Sequence, residues 1–180
     1  MRQPFFVCED GDITFARHGF MKKIFEVMKL DGKTDRVWFV QSKNPKCLEK
    51  YLNFMPENTY LATTLETNRD EGYGRISKAP KPSQRYKDLL ALNWDKKIVT
   101  VEPILDFDLD IFNQWIMNIK PKAVFVGYNS HPKKVPLPEP LKKKTWQLIH
   151  SLEEGGIQVL KKEMRDRRVR KMAYRDFRAR

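Results

Sequence analysis

Two glutamates directly follow apolar runs of strand length. Glu102 follows residues 98–101 (IVTV), and Glu66 closes residues 60–66 (YLATTLE). Parallel α/β folds place ligand-binding and acid–base groups at the carboxyl ends of their strands. A carboxylate two or three positions beyond a buried apolar residue is also costly unless it has a partner. We therefore predict Glu66 and Glu102 as the catalytic candidates, the alternative being that strand ends carry polar residues only to meet solvent.

Further polar side chains at or just after the apolar runs would share the same edge of a parallel sheet. Acids and amines that converge there could bind a polar ligand or tune one another for acid–base chemistry. Meeting solvent is again the alternative for each residue taken singly. The predicted ligand-binding residues are Asp10, Asp12, Lys43, Thr64, Asn129 and Lys161.

The residue types needed for a metal site or a nucleophilic mechanism do not occur in recognisable spacing. His18, His131 and His150 show no ligand pattern, and Cys8 and Cys47 do not form a CxxC pair. No glycine-rich phosphate loop follows a strand, and no serine or cysteine nucleophile motif is present. We predict no metal site.

Six short apolar runs alternate with five stretches of helical periodicity. Near-continuous apolar strands separated by helices are typical of an α/β fold with a parallel sheet, either doubly wound or part of a (β/α) barrel. We favour a partial TIM-like barrel of about six strands, because polar residues follow nearly every run. Residues 68–82 form the longest irregular stretch, and loops of that length are usually functional or mobile. The runs begin near residues 5, 37, 60, 98, 123 and 157.

Composition suits one compact domain with a basic end. The chain has 180 residues, is 41% hydrophobic and carries a net charge of +12. Residues 161–180 contain ten basic and three acidic side chains, a net of +7, which leaves +5 for residues 1–160. We assign residues 1–160 to the barrel domain and residues 161–180 to a basic helix or tail. No apolar run approaches the roughly 20 residues that span a membrane, and two isolated cysteines suit a cytoplasmic protein.

The basic end has two interpretations. Val169, Met172, Ala173 and Phe177 fall on one helical stripe, so the segment could dock on the body as a helix with a solvated basic face. It could instead bind the phosphates of a nucleic acid, since arginine suits phosphate geometry. The candidate nucleic-acid-binding residues are Arg165, Arg167, Arg168, Arg170 and Lys171.

Several segments together carry a family resemblance. The order and spacing of seven segments resemble those of a largely phage- and prokaryote-encoded family of radical-SAM-like proteins. The segments are FFVCEDGDITFA, FVQSKNPKCLEKYL, PENTYLATTLETNRD, KAPKPSQRYKDL, IVTVEPILDFDLDIFNQWI, AVFVGYNSHPKKVPLPEP and VLKKEMR. The resemblance covers the chain to about Arg165. It implies a (β/α) barrel that binds S-adenosylmethionine across the strand ends and an iron–sulfur cluster held by a CxxxCxxC loop.

The chain departs from that family at the cluster motif. It has no CxxxCxxC, and the cluster-binding strand would precede Met1. A [4Fe–4S] site needs three or four thiolates, so we expect no cluster from this chain alone.

Three hypotheses follow. The chain could be a truncated or cluster-less module that binds S-adenosylmethionine or a nucleotide-like ligand. It could be a phage-type accessory protein that binds nucleic acid, acting in the host cytoplasm. It could also be a structural subunit whose first strand pairs with a second chain that completes the barrel, or with a copy of itself.

Overall fold

The protein is described by a computed structural model, which covers residues 4–8, 11–31, 36–134, 136–165, 171–172 and 176–177. Each of the six predicted apolar runs forms a strand. The strands are β1 (Pro4–Val7), β2 (Val37–Gln41), β3 (Thr59–Thr64), β4 (Lys97–Val101), β5 (Ala123–Val126) and β6 (Gln158–Lys161).

The helices lie between the strands, as the periodicity predicts. On the third α-helix, Phe112, Ile116 and Ile119 are buried at helical spacing. The segment Pro45–Phe54 forms a 3-10 helix rather than an α-helix, with Pro45 in its first turn. The α-helices are α1 (His18–Leu30), α2 (Pro82–Ala91), α3 (Leu109–Ile119) and α4 (Lys142–Glu154).

The six strands form one parallel sheet in the order β1-β2-β3-β4-β5-β6. This confirms the predicted α/β fold with strands and helices in alternation. The sheet is open: within the described residues β1 and β6 are its two edges and do not pair with each other. The strands lie in the sheet in the order of the sequence. Crossover connections of a single handedness therefore place the helices on one side of the sheet, as in a barrel.

The two faces of the sheet carry separate apolar clusters. The helices bury their side chains against Val40, Leu61, Val99 and Val124, which face one side. The alternate strand residues form the opposite face, which we call the inner face. The inner-face residues include Phe39, Tyr60, Ile98, Phe125 and Leu160.

The chain's last described residues cover the inner face. The ring of Phe177 packs edge-on against Tyr60, with centroids 4.9 Å apart, and against Phe39 at 5.4 Å. The amide of Met172 donates to the Lys161 carbonyl at 2.7 Å. The predicted basic helix falls mostly on residues outside the described ranges and stays a prediction. Across the part of the chain that is described, no helix has the length and apolar character to cross a membrane.

Candidate functional site

Polar side chains line the inner face where the strands end. Thr64 on β3 pairs in register with Thr100 on β4, and Glu66 and Glu102 follow these threonines by two residues each. Because alternate residues of a strand share a face, Glu66 continues the row of side chains that contains Thr64. Glu102 continues the neighbouring row, which contains Thr100. The structure therefore brings the two catalytic candidates to neighbouring positions on one edge of the sheet.

The carboxylate of Glu66 lies between two cations and is almost fully buried. Lys43 Nζ donates to its Oε1 at 2.8 Å, and Arg85 Nη2 lies 2.9 Å from its Oε2 as an ion pair without hydrogen-bond alignment. Arg85 is completely buried, whereas Lys43 remains 41% exposed. The surroundings of Glu66 are therefore those of a carboxylate that orients Lys43, and not those of an unpaired general base.

Arg85 also fixes the backbone and the loop around Glu66. Its Nη1 donates to the Thr64 carbonyl at 2.5 Å, and its Nη2 donates to the Tyr73 hydroxyl. Burial raises the pKa of Tyr73 to about 12, and the negative charge of Glu66 adds to the effect. Tyr73 is a neutral phenol at physiological pH, as it would be even at its ordinary pKa of about 10.

The loop that carries Tyr73 is anchored at both ends. Arg69 Nη1 lies 2.6 Å from Asp106 Oδ2, and Arg69 Nη2 lies 2.6 Å from Asp108 Oδ1. The Ser83 hydroxyl donates to Asp70 Oδ2 at 2.5 Å. The Arg69 contacts hold the start of the loop against the segment that follows Glu102, and the Ser83 contact joins the loop to the first turn of α2.

Glu102 forms a second charged pair across the end of β5. Its Oε2 lies 3.4 Å from Lys162 Nζ, and both side chains are partly exposed. Gly127 lies between them: a Cβ there would be 3.1 Å from Glu102 Oε1 and 3.0 Å from Lys162 Cβ. The glycine therefore leaves the space that the carboxylate uses. The hydroxyl of Thr100, two residues before Glu102, is buried and has no hydrogen-bond partner among the described residues.

Asp12 fixes the turn that presents Lys43. Its Oδ1 accepts from the Thr14 amide at 2.9 Å and from the Ser42 hydroxyl at 2.7 Å, and its Oδ2 accepts from the Lys43 amide at 2.7 Å. Burial acts to raise the pKa of Asp12, but these hydrogen bonds outweigh it and lower the pKa below its ordinary value. Asp12 is an ionised anchor of the site's backbone.

The predicted Thr64 faces this edge, where its hydroxyl accepts from Gln41 Nε2 at 3.0 Å. Lys161 does not: it lies on the helix side, where its ammonium contacts Glu153 and lies 5.9 Å from the Trp146 ring centroid. Because side chains alternate along β6, the next residue, Lys162, points to the inner face instead.

The remaining predicted residues either contact other protein groups or are not described. Arg165 lies 2.5 and 2.7 Å from the two carboxylate oxygens of Glu139, and it donates to the Asn129 carbonyl at 3.0 Å. Lys171 Nζ is 3.7 Å from Glu163. Asp10, Arg167, Arg168 and Arg170 lie outside the described residues.

Sequence reasoning missed Arg85, Tyr73, Gly127 and Lys162. Arg85 lies four residues before the buried Leu89, so helical spacing placed it on the core side of α2. Side chains alternate between the two faces of a strand, so the second residue after the inner-face Leu160, which is Lys162, could have been identified as a site residue. The sequence around Tyr73 and around Gly127 contains no pattern that would have identified them as site residues.

The thiols do not fit an iron–sulfur cluster. Cys8 Sγ donates to Met21 Sδ at 3.7 Å, and Cys47 Sγ lies 3.5 Å from the Ser42 hydroxyl. Two cysteines are fewer than the three or four thiolates that a cluster needs. Among the residues that the structure covers, no group of three or more His, Cys, Asp or Glu side chains is arranged to hold a metal ion.

Comparison with known proteins returned no match: no protein-family model, no curated protein and no solved structure is similar to this chain. The function is therefore argued from the geometry of this edge of the sheet.

Proposed function

We propose that this chain is a radical-SAM-like module, without a cluster of its own, that binds S-adenosylmethionine or a nucleotide-like ligand at the carboxyl edge of its sheet. The observation that carries the proposal is the Glu102–Lys162 pair over Gly127. Both charges are partly exposed, lie at the ends of β4 and beyond β6, and stand where parallel α/β folds bind ligands.

The charges suit the amino-acid end of S-adenosylmethionine. Glu102 would accept hydrogen bonds from an ammonium group or from ribose hydroxyls, and Lys162 would bind a carboxylate or a phosphate. Lys43, oriented by Glu66 and anchored through Asp12, would supply a second cation. No radical step is assigned to this chain, because its thiols do not fit the cluster. We place its action in the cytoplasm, with a second chain as the source of any cluster.

Two adjacent lysines provide a matched test. Lys162 faces the inner side of the sheet and Lys161 faces the helices, so Lys162→Met removes the proposed contact and Lys161→Met controls for lost charge. Isothermal titration calorimetry would use S-adenosylmethionine, methionine and ATP as probes. A charged hydrogen bond contributes about 1.5–3 kcal/mol, so Lys162→Met should weaken binding roughly tenfold or more. Absence of binding by all three probes, or equal effects of both variants, would overturn the proposal.

Nucleic-acid binding is a second candidate function. Lys133, Lys134, Lys142 and Lys143 are exposed, and none has an acidic partner within the described residues. Exposed lysines of this kind bind phosphates with an affinity that falls steeply with salt. Fluorescence anisotropy with a labelled oligonucleotide, at two salt concentrations, distinguishes this candidate. If replacement of these four lysines by glutamine left oligonucleotide binding unchanged, that result would contradict this candidate function.

A further inference from the structure

The side chain of Arg165 forms a two-armed ion pair with Glu139. Its Nη1 donates to Glu139 Oε2 at 2.5 Å, and its Nη2 donates to Glu139 Oε1 at 2.7 Å. Nη2 also donates to the Asn129 carbonyl at 3.0 Å, and the guanidinium carbon lies 5.4 Å from the centroid of the Tyr128 ring. Paired hydrogen bonds to a carboxylate fix the direction of a guanidinium as well as its position. Arg165, which follows β6, is therefore joined to the segment that follows β5.

The segment that carries Glu139 is also tied to the other side of the candidate site. The carbonyl of the preceding residue, Pro138, accepts from the Asp106 amide at 2.7 Å. Asp106 lies four residues beyond Glu102, on the segment that follows β4. Glu139 and its neighbour therefore bridge the segments that follow β4 and β6, which carry Glu102 and Lys162 respectively.

Lys162 lies on the short segment between β6 and Arg165. Its amide donates to the Val126 carbonyl at 2.8 Å, and the carbonyl of the next residue, Glu163, accepts from the Tyr128 amide at 2.7 Å. Arg165 itself has a φ of 54°, in the left-handed region that residues other than glycine seldom adopt. A residue keeps such a conformation where its surroundings over-determine it. The contacts of Arg165 therefore set the direction in which the chain leaves Lys162.

We infer that the Arg165–Glu139 pair positions Lys162 opposite Glu102. Lys162 Nζ lies 3.4 Å from Glu102 Oε2, and both side chains are partly exposed. An ion pair of this kind contributes little by itself, because two flexible side chains must be held in one geometry. The backbone on either side of the Glu102–Lys162 pair must therefore be fixed by other contacts, and the Arg165–Glu139 pair supplies them. Arg165 is a positioning residue, which acts through Lys162.

Hydrogen exchange of single amides, followed by NMR without ligand, tests this geometry directly. Arg165→Met should raise the exchange rates of the Lys162 and Tyr128 amides severalfold, because the segment then opens locally. The Leu65 amide, which donates to the Thr100 carbonyl at 2.9 Å, should keep its rate. A general loss of stability would raise all three rates. Unchanged rates at Lys162 and Tyr128, or equal increases at all three amides, would overturn the inference.

Calorimetry with S-adenosylmethionine tests the consequence for binding, which rests on the proposed function. Arg165→Met should weaken binding about fivefold, a size typical of residues coupled through one network. In the Lys162→Met background the same substitution should change the affinity by less than about twofold, because the residue that it positions is gone. Arg36→Met is the matched control and should leave binding unchanged. Arg36 also pairs with a carboxylate, that of Asp31 at 2.7 Å, and lies 5.0 Å from the Phe5 ring centroid, but it precedes β2 at the opposite end of the sheet.

Glu139→Gln provides a second variant, which removes the charge of the pair from the other side. It should match Arg165→Met in both the exchange rates and the affinity. A loss of affinity from Arg165→Met that is the same with and without Lys162 would overturn the inference, because Arg165 would then not act through that residue. If the wild-type chain bound no S-adenosylmethionine, the ligand proposal would fail, and the exchange rates would still decide whether the Arg165–Glu139 pair positions Lys162.

Discussion

The guanidinium of Arg85 lies 2.9 Å from a carboxylate oxygen of Glu66, and both side chains are shielded from solvent. The two residues come from α2 and from the end of β3, so the pair fastens a helix to the edge of the sheet that carries the candidate site. Lys43 shares the same carboxylate from its exposed side. The pair therefore links the buried core to Lys43, a cation that a ligand at this edge of the sheet could reach.

Removal of either Glu66 or Arg85 should destabilise the protein, but the two losses should differ in size. Glu66→Leu leaves the buried Arg85 without its carboxylate, which costs about 3–5 kcal/mol in unfolding free energy. Arg85→Met should cost less, because Glu66 keeps Lys43 as a partner. Urea denaturation measures both values. Lys87→Met, on the exposed side of α2, is the control and should change stability by less than about 0.5 kcal/mol. Equal or negligible losses for the two buried substitutions would contradict this description.

Gly127→Ala should disturb the Glu102–Lys162 pair. The new Cβ would lie 3.0 Å from Lys162 Cβ and 3.1 Å from Glu102 Oε1, so those side chains must shift. We expect a stability loss of about 1–2 kcal/mol, as for other overpacked sites, together with weaker ligand binding in calorimetry. Gly74→Ala has no atom within 4 Å of the added Cβ and should change neither quantity.

Asp12 should make stability depend on acid pH. Its folded-state pKa is lowered, so its contribution is present above the unfolded value of about 3.9 and is lost as pH falls through the folded value. Asp12→Asn should be less stable than wild type by about 1 kcal/mol near pH 6, a figure discounted for solvent screening. The gap should shrink below about pH 4 in urea titrations. Asp95→Asn, at an exposed site, should show no such gap, and a gap for Asp12→Asn that stays constant with pH would contradict the assignment.

Phe177 should hold the end of the chain on the inner face. Phe177→Ala removes its edge-on packing against Phe39 and Tyr60. The loss should be about 3 kcal/mol in unfolding free energy, with increased binding of a hydrophobic dye to the uncovered face. Phe15→Ala is the control, because Phe15 is 88% exposed. Unchanged stability and dye binding would show that the terminal segment does not cover this face.

The sequence predicted the strands well because parallel strands buried on both faces are nearly continuous apolar runs. It could not predict which polar residues meet, since that depends on side-chain direction. Lys161 ended an apolar run and was chosen over Lys162, yet alternation along β6 sends Lys161 toward Glu153. The sequence predicts Glu66 as a catalytic candidate, but its buried partner Arg85 comes from a helix 19 residues away in a mostly polar segment. The contact exists only once α2 packs on the sheet.

Amide chemical-shift mapping with S-adenosylmethionine tests the central claim most directly. In ¹H–¹⁵N spectra of this 21.4 kDa chain, we predict that the shifted amides cluster at Lys43, Thr64, Glu102, Gly127 and Lys162. That result would place the ligand across the carboxyl edge of the sheet. Shifts confined to the opposite edge, near Lys122 and Gln158, or no shifts at saturating ligand, would contradict the proposed site.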